Sequence, residues 1–116
     1  MIEAIICDYL ISQDLDLVGS HVYLEVPVEP PSEYILIEKT ASGTQNKICS
    51  AMIAVQSISG SRLYTAAQIN QSVIDAMEMF ADNSDKIYSC KLNSDYNYTD
   101  PDTKEYRYQA VFNVYY

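Results

Sequence analysis

The sequence predicts an α+β domain: one mixed or antiparallel β-sheet of about five strands with two helices packed on it. Three observations lead there. Residues 62–81 place Leu63, Ala66, Ile69, Val73, Ala76, Met77 and Phe80 on one stripe and Gln68, Gln71, Asp75, Glu78 and Asp82 on the other, the period of a helix that buries one side. Ile48 to Ser57, ICSAMIAVQS, is apolar on both strand faces, as befits the centre of a sheet. The last stretch alternates large and polar residues behind an Asp100-Pro101-Asp102 turn signal, which makes a hairpin of the final two strands.

The elements follow in order. Ile2, Ile5, Ile6, Tyr9 and Leu10 recur at helical spacing, so residues 2–12 form a short amphipathic helix, closed before the polar stretch that contains Gly19. Residues 21–26, HVYLEV, alternate as a strand and are stopped by Pro27; Pro30-Pro31 makes a stiff connector, because proline fixes φ and has no amide donor. Residues 34–39, YILIEK, form the second strand. Residues 40–47, TASGTQNK, are small and polar with one glycine and read as a loop. The central strand at 48–57 leads through serines, good helix caps, into the long helix. Residues 87–92 form the fourth strand, 93–103 a polar connection, and 104–116 the last strand. Its residues Tyr106, Tyr108, Ala110, Phe112 and Val114 share a face that should meet the helices. Glu105, Arg107, Gln109, Val111 and Asn113 share the face that should meet water or a neighbour. The order is helix, three strands, helix, two strands, in a single domain spanning residues 1–116.

Composition narrows the function classes. With 48% hydrophobic and 20% charged residues the chain is globular. Seven basic against sixteen acidic side chains give a net charge of −9, the opposite of a phosphate-binding footprint, so no nucleic-acid specificity is expected. No apolar run has the length of a membrane span. The first residues lack a basic leader and read as no signal peptide, which makes the Asn-X-Ser/Thr strings at Asn70 and Asn97 chance matches. Cys7, Cys49 and Cys90 are odd in number, unrelated in spacing and set among apolar residues, as buried free thiols are.

No catalytic, cofactor or metal site is expected. His21 is the one histidine and stands at a strand start. No serine or cysteine has a base placed by a recognisable motif, and no glycine-rich phosphate loop occurs. Asp95, Asn97 and Thr99 imitate the first ligands of a calcium loop, but Asp100 stands where its glycine belongs and Tyr106 where its closing glutamate belongs. Eleven tyrosines against two phenylalanines and no tryptophan are the remaining oddity, and six of them crowd the final hairpin. Three readings fit: cross-strand aromatic pairing, a surface wet at one end and packed at the other, as interfaces are, and, weakest against the −9 charge, stacking of nucleic-acid bases. For Tyr96 and Tyr98, in the turn, the interface is preferred.

The ordered pieces resemble a known family. YILIEKT at 34–40 before a small polar stretch, AVQS at 54–57 leading into AAQINQSVIDAM at 66–77, and the closing YRYQAVF at 106–112 are similar to the tail terminator (tail completion) proteins of long non-contractile-tailed bacteriophages. The similarity covers about residues 34–116; Ala41-Ser42-Gly43 departs from the paired glycines frequent there. It implies a structural virion protein of the tail, assembled in the host cytoplasm. Such a subunit forms a homo-oligomeric ring, usually a hexamer, on the head-proximal end of the tail tube, ends tube polymerisation and presents the surface for head–tail joining. Its partners would be further copies of itself, the tail tube protein and a head-completion or connector protein. Cyclic assembly requires two different complementary patches on each subunit. The chain offers Thr40, Ser42, Gly43, Gln45, Asn46 and Lys47 on one side and Tyr96, Tyr98 and Arg107 on the other, with Arg107 suited to a carboxylate of an adjacent acidic subunit. The alternative is a head–tail connector or minor capsid component of similar fold.

Overall fold

In the computed structural model, which describes residues 1–45, 47–102 and 105–116, the first helix α1 (Ile2–Ser12) buries Ile2, Ile6, Tyr9 and Leu10 as its spacing predicts. Two left-handed residues then turn the chain, Asp14 (φ 48°) and Gly19 (φ 55°), the second needing glycine's freedom and the first tolerating it through a short polar side chain. β1 is only Val22–Tyr23, shorter than the 21–26 expected, because the chain leaves the sheet at Leu24 and runs exposed into its prolines. It lies parallel to β2, with Val22 opposite Ile35 and Tyr23 opposite Leu36.

β2 (Glu33–Gln45) and β3 (Ile48–Ser59) correct one expectation. Residues 40–45 are not a loop: they continue β2, paired rung by rung from Ala41 opposite Met52 to Gln45 opposite Ile48. A bulge between Lys39 and Ala41 takes up one residue. Small polar side chains suit this arm because it is exposed and needs no apolar face; the partner strand's backbone supplies the order. Lys47 closes the turn with φ 66°, and Asn46 lies outside the described residues.

The long helix is α2 (Leu63–Glu78), broken at Met79 from a last turn, α3 (Phe80–Asn83), where one continuous helix over 62–81 was expected. β4 (Ser89–Asn97) begins two residues later than predicted and runs five further, into the polar stretch. β5 (Tyr106–Tyr115) is the last strand; the predicted start at Lys104 and the neighbouring Thr103 fall outside the described residues.

The five-stranded sheet has the order β1-β2-β3-β5-β4, mixed only through β1. β3 is central, as its two apolar faces require. Ile35, Ile37, Ala51, Ile53, Val55, Ala110, Phe112 and Val114 face one way and form a single core with the helices. Tyr9 ties α1 to the end of α2, donating to the Ala76 carbonyl at 2.6 Å and packing on Phe80 at 4.6 Å between ring centres. The last residue does not fray: Tyr116 and Cys49 exchange both backbone hydrogen bonds at 2.9 Å.

Candidate functional site

The helices cover one face of the sheet, and the opposite face is where the candidate residues gather. Strand alternation sends Tyr34, Ile58 and Arg107 to that face in one row and Leu36, Gln56, Gln109 and Tyr96 in the next. Expectation placed the Arg107–Gln109–Val111 side of β5 against water or a neighbour. The rows are drier than that: Gln109 is 9% and Val111 8% exposed, beside Gln56 at 5% and Ile58 at 0%. Long side chains of β4 and β5 fold inward over the strand beside them. Tyr96 lays its hydroxyl on Gln109, and Arg107 lays its guanidinium on Gln56.

These contacts form a continuous polar belt. Gln109 Nε2 donates to the Tyr96 hydroxyl at 2.6 Å, Gln56 Nε2 to Gln109 Oε1 at 3.0 Å, and Arg107 Nη1 to Gln56 Oε1 at 2.8 Å. Arg107 Nη2 stands 3.6 Å from Glu105 Oε1, and the Tyr34 hydroxyl reaches Glu105 Oε2 at 3.5 Å. Burial, followed by the Glu105 carboxylate, holds the Tyr34 phenol above its ordinary pKa, so it remains a donor at neutral pH. Aromatic contacts extend the belt at both ends: Tyr96 meets Tyr98 edge-on at 5.9 Å, and Tyr34 meets Tyr23 edge-on at 6.1 Å. Tyr98 follows β4 and donates its amide to the Arg107 carbonyl at 2.7 Å.

Tyr96, Tyr98 and Arg107 therefore do come together, with Arg107 already partnered within the chain. The second predicted group lies apart, at the other end of the sheet. Thr40 sits in the bulge and donates to the Met52 carbonyl at 3.2 Å. Ser42 and Lys47 are exposed, and Gln45 pairs its backbone with Ile48. At Gly43 a side-chain carbon would meet only Ser50 Oγ at 3.5 Å, so no conformational need fixes this glycine. Its bareness leaves a shallow concavity between Ser42, Ser50, Met52, Asn113 and Tyr115. Sequence reasoning missed Gln56, Gln109, Tyr34 and Glu105. The available signal was a glutamine inside each of two apolar strand runs, AVQS and YQAVF, which a central sheet can hold only if they pair.

Elsewhere the chemistry is structural. His21 is exposed and stacks on Tyr23 at 6.4 Å. Burial pushes the Cys90 thiol up to about 12, and burial with the nearby Asp8 raises Cys7, whose Sγ donates to the Val22 carbonyl. Neither is a ready nucleophile at neutral pH. Among the described residues, no three His, Cys, Asp or Glu side chains stand together as metal ligands, and no helix is long and apolar enough to cross a membrane.

No family model matches the chain, and no curated protein matches it significantly. Among solved structures it is similar to a chain from the virion of a native gene transfer agent (GTA) particle, with a TM-score of 0.67 and 19% identity over 90% of each chain. At that identity the likeness shows a shared fold.

Proposed function

We propose that this chain is a structural virion subunit that assembles as a ring on the head-proximal end of a tail tube, ends the tube's growth and offers the docking surface for the head. The observation that carries the reading is the likeness to a virion component along nine-tenths of both chains. It is supported by the order of the YILIEKT, AVQS and YRYQAVF blocks, which fall on β2, on β3 leading into α2, and on β5. The geometry suits assembly: an exposed hairpin arm at one end of the sheet, and at the other a tyrosine-rich open face stiffened by the glutamine–arginine belt. The arm and the open face are the surfaces offered to the tube protein, to neighbouring copies and to the connector.

Negative-stain microscopy of purified protein added to growing tail tubes tests this. Ring-shaped density at one tube end, with elongation halted, is the expected result. Tubes that grow on unchanged would overturn the terminator role. Binding instead to isolated connectors or capsids would move the chain to the head–tail connector or minor capsid reading.

A further inference from the structure

Both outer edges of the sheet lack a strand partner over nine residues, with Met1, Glu3 and Leu24 standing beside Ile37, Glu38 and Lys39 on the β2 side. β1 covers β2 only at Ile35 and Leu36, which leaves the nine residues from Ile37 to Gln45 without a strand on that side. β4, also nine residues, is the opposite edge. Among the described residues, no backbone amide or carbonyl of either segment bonds outward. Bare edges of this length are templates for another strand. Each carries a bulge and charged side chains, devices that ordinarily discourage pairing. Set against each other, they match.

Direction comes first. β2 is antiparallel to β3, β3 to β5 and β5 to β4, so β4 runs opposite to β2. A rotation about an axis along the strands therefore brings β4 of one copy antiparallel to β2 of the next, in the head-to-tail contact from which rings are built.

Register follows. Lys39 is opposite Ile53 and Asp95 opposite Ala110, both core residues, so both charges project on the helix-covered side. Placing Lys39 against Asp95 puts Ile37 opposite Asn97 and Gln45 opposite Ser89, the full length of both edges. In the same register the bulge after Lys39 falls opposite the bulge between Leu92 and Ser94. Ser42 and Leu92, beyond the bulges, again lie on one face, because each is opposite a core residue, Ala51 and Phe112. A slip by one residue turns every side chain to the wrong face. A slip by two separates the charges and the bulges together.

We propose that copies of this chain join edge to edge, β4 of one against residues 37–45 of the next, antiparallel and with Lys39 facing Asp95. This rests on the homo-oligomer reading above and names its contact. Both residues are exposed in the subunit, but Asp95 Oδ2 also accepts from the buried Asn70 Nδ2 at 3.1 Å, so circular dichroism and thermal melts of each variant fix the conditions in which it stays folded before assembly is compared. Lys39→Asp and Asp95→Lys should each weaken assembly about tenfold in sedimentation, by replacing a facing attraction with a facing repulsion. The double swap on one chain should restore it. Lys39→Cys with Asp95→Cys, oxidised, should give a ladder of covalent multimers that neither single variant gives. Rings that assemble without the ladder and ignore the swaps would overturn the edge contact and leave the ring. A covalent dimer from Asp95→Cys alone would mean that β4 pairs with itself, which also overturns it. If wild-type protein shows no self-association in sedimentation, alone or on tail tubes, both this contact and the ring reading fall.

Discussion

Glu33 joins the start of β2 to the turn before α2. Its Oε2 accepts from Ser32, Ser59 and Ser61 at 2.7, 2.9 and 3.2 Å, while Ser59 Oγ accepts the amides of Ser61 and Arg62. The Ser32 hydroxyl, opposed by partial burial and helped by the other two serines, holds the carboxyl below its ordinary pKa. A depressed folded pKa stabilises above the unfolded value and is lost as pH falls through the folded one. Glu33→Gln should therefore cost less than about 1 kcal/mol at neutral pH, since solvent screens a carboxylate this exposed. The gap from wild type should close as pH drops below about 4.3. Thermal melts across that range check both, and parallel melts at every pH would contradict them. Arg107 is the second case. The structure hangs the buried Gln56 on this guanidinium. Removing it strands the Gln56 carbonyl, and a loss of about 1–2 kcal/mol in chemical denaturation is expected.

Among the elements, α2 was the most legible. Its stripe buries Ala66, Ile69, Val73, Ala76 and Met77 as read, with Val73 at 0% exposure. Val73→Asp should bury an unpaired carboxylate at a cost of several kcal/mol, enough to abolish cooperative melting. Tyr9→Phe is the finer probe: it keeps the ring on Phe80 but removes the hydroxyl from the Ala76 carbonyl, for about 1 kcal/mol. The central strand and β5 were legible for the same reason, since burial leaves its trace in the residues themselves. Thr40 to Gln45 and Ser94 to Asn97 were not. Nothing in TASGTQ or SDYN prefers a strand; these segments are extended because β3 and β5 present a ladder to them, and pairing partners leave no local mark. For the candidate site, composition singled out Tyr96 and Tyr98, and strand alternation singled out Arg107. The belt that joins them depends on Gln56 facing Gln109 across strands 53 positions apart.

For the molecule as a whole, charge sets the terms of association. Copies carrying −9 each repel at long range, whatever pairs they form at contact. Screening shortens that reach from about 30 Å at 0.01 M salt to about 8 Å at 0.15 M. Self-association measured by light scattering should therefore strengthen as salt rises over this interval; weakening would mean that contact pairs outweigh the net charge. The sheet order also governs how the chain folds. The β2–β3 and β4–β5 hairpins and α2 are each local, so they can form early and separately. Joining β3 to β5 is different, because Ser59 must find Tyr106 across the whole of α2, α3 and β4. Closing that loop has to precede the contacts that reward it, so this step should limit the folding rate. During synthesis, β3 emerges with two apolar faces and one edge bare, and β5, which covers that edge, is made only after α2, α3 and β4. The nascent chain is thus at its most adhesive midway through translation, when chaperone protection would count most.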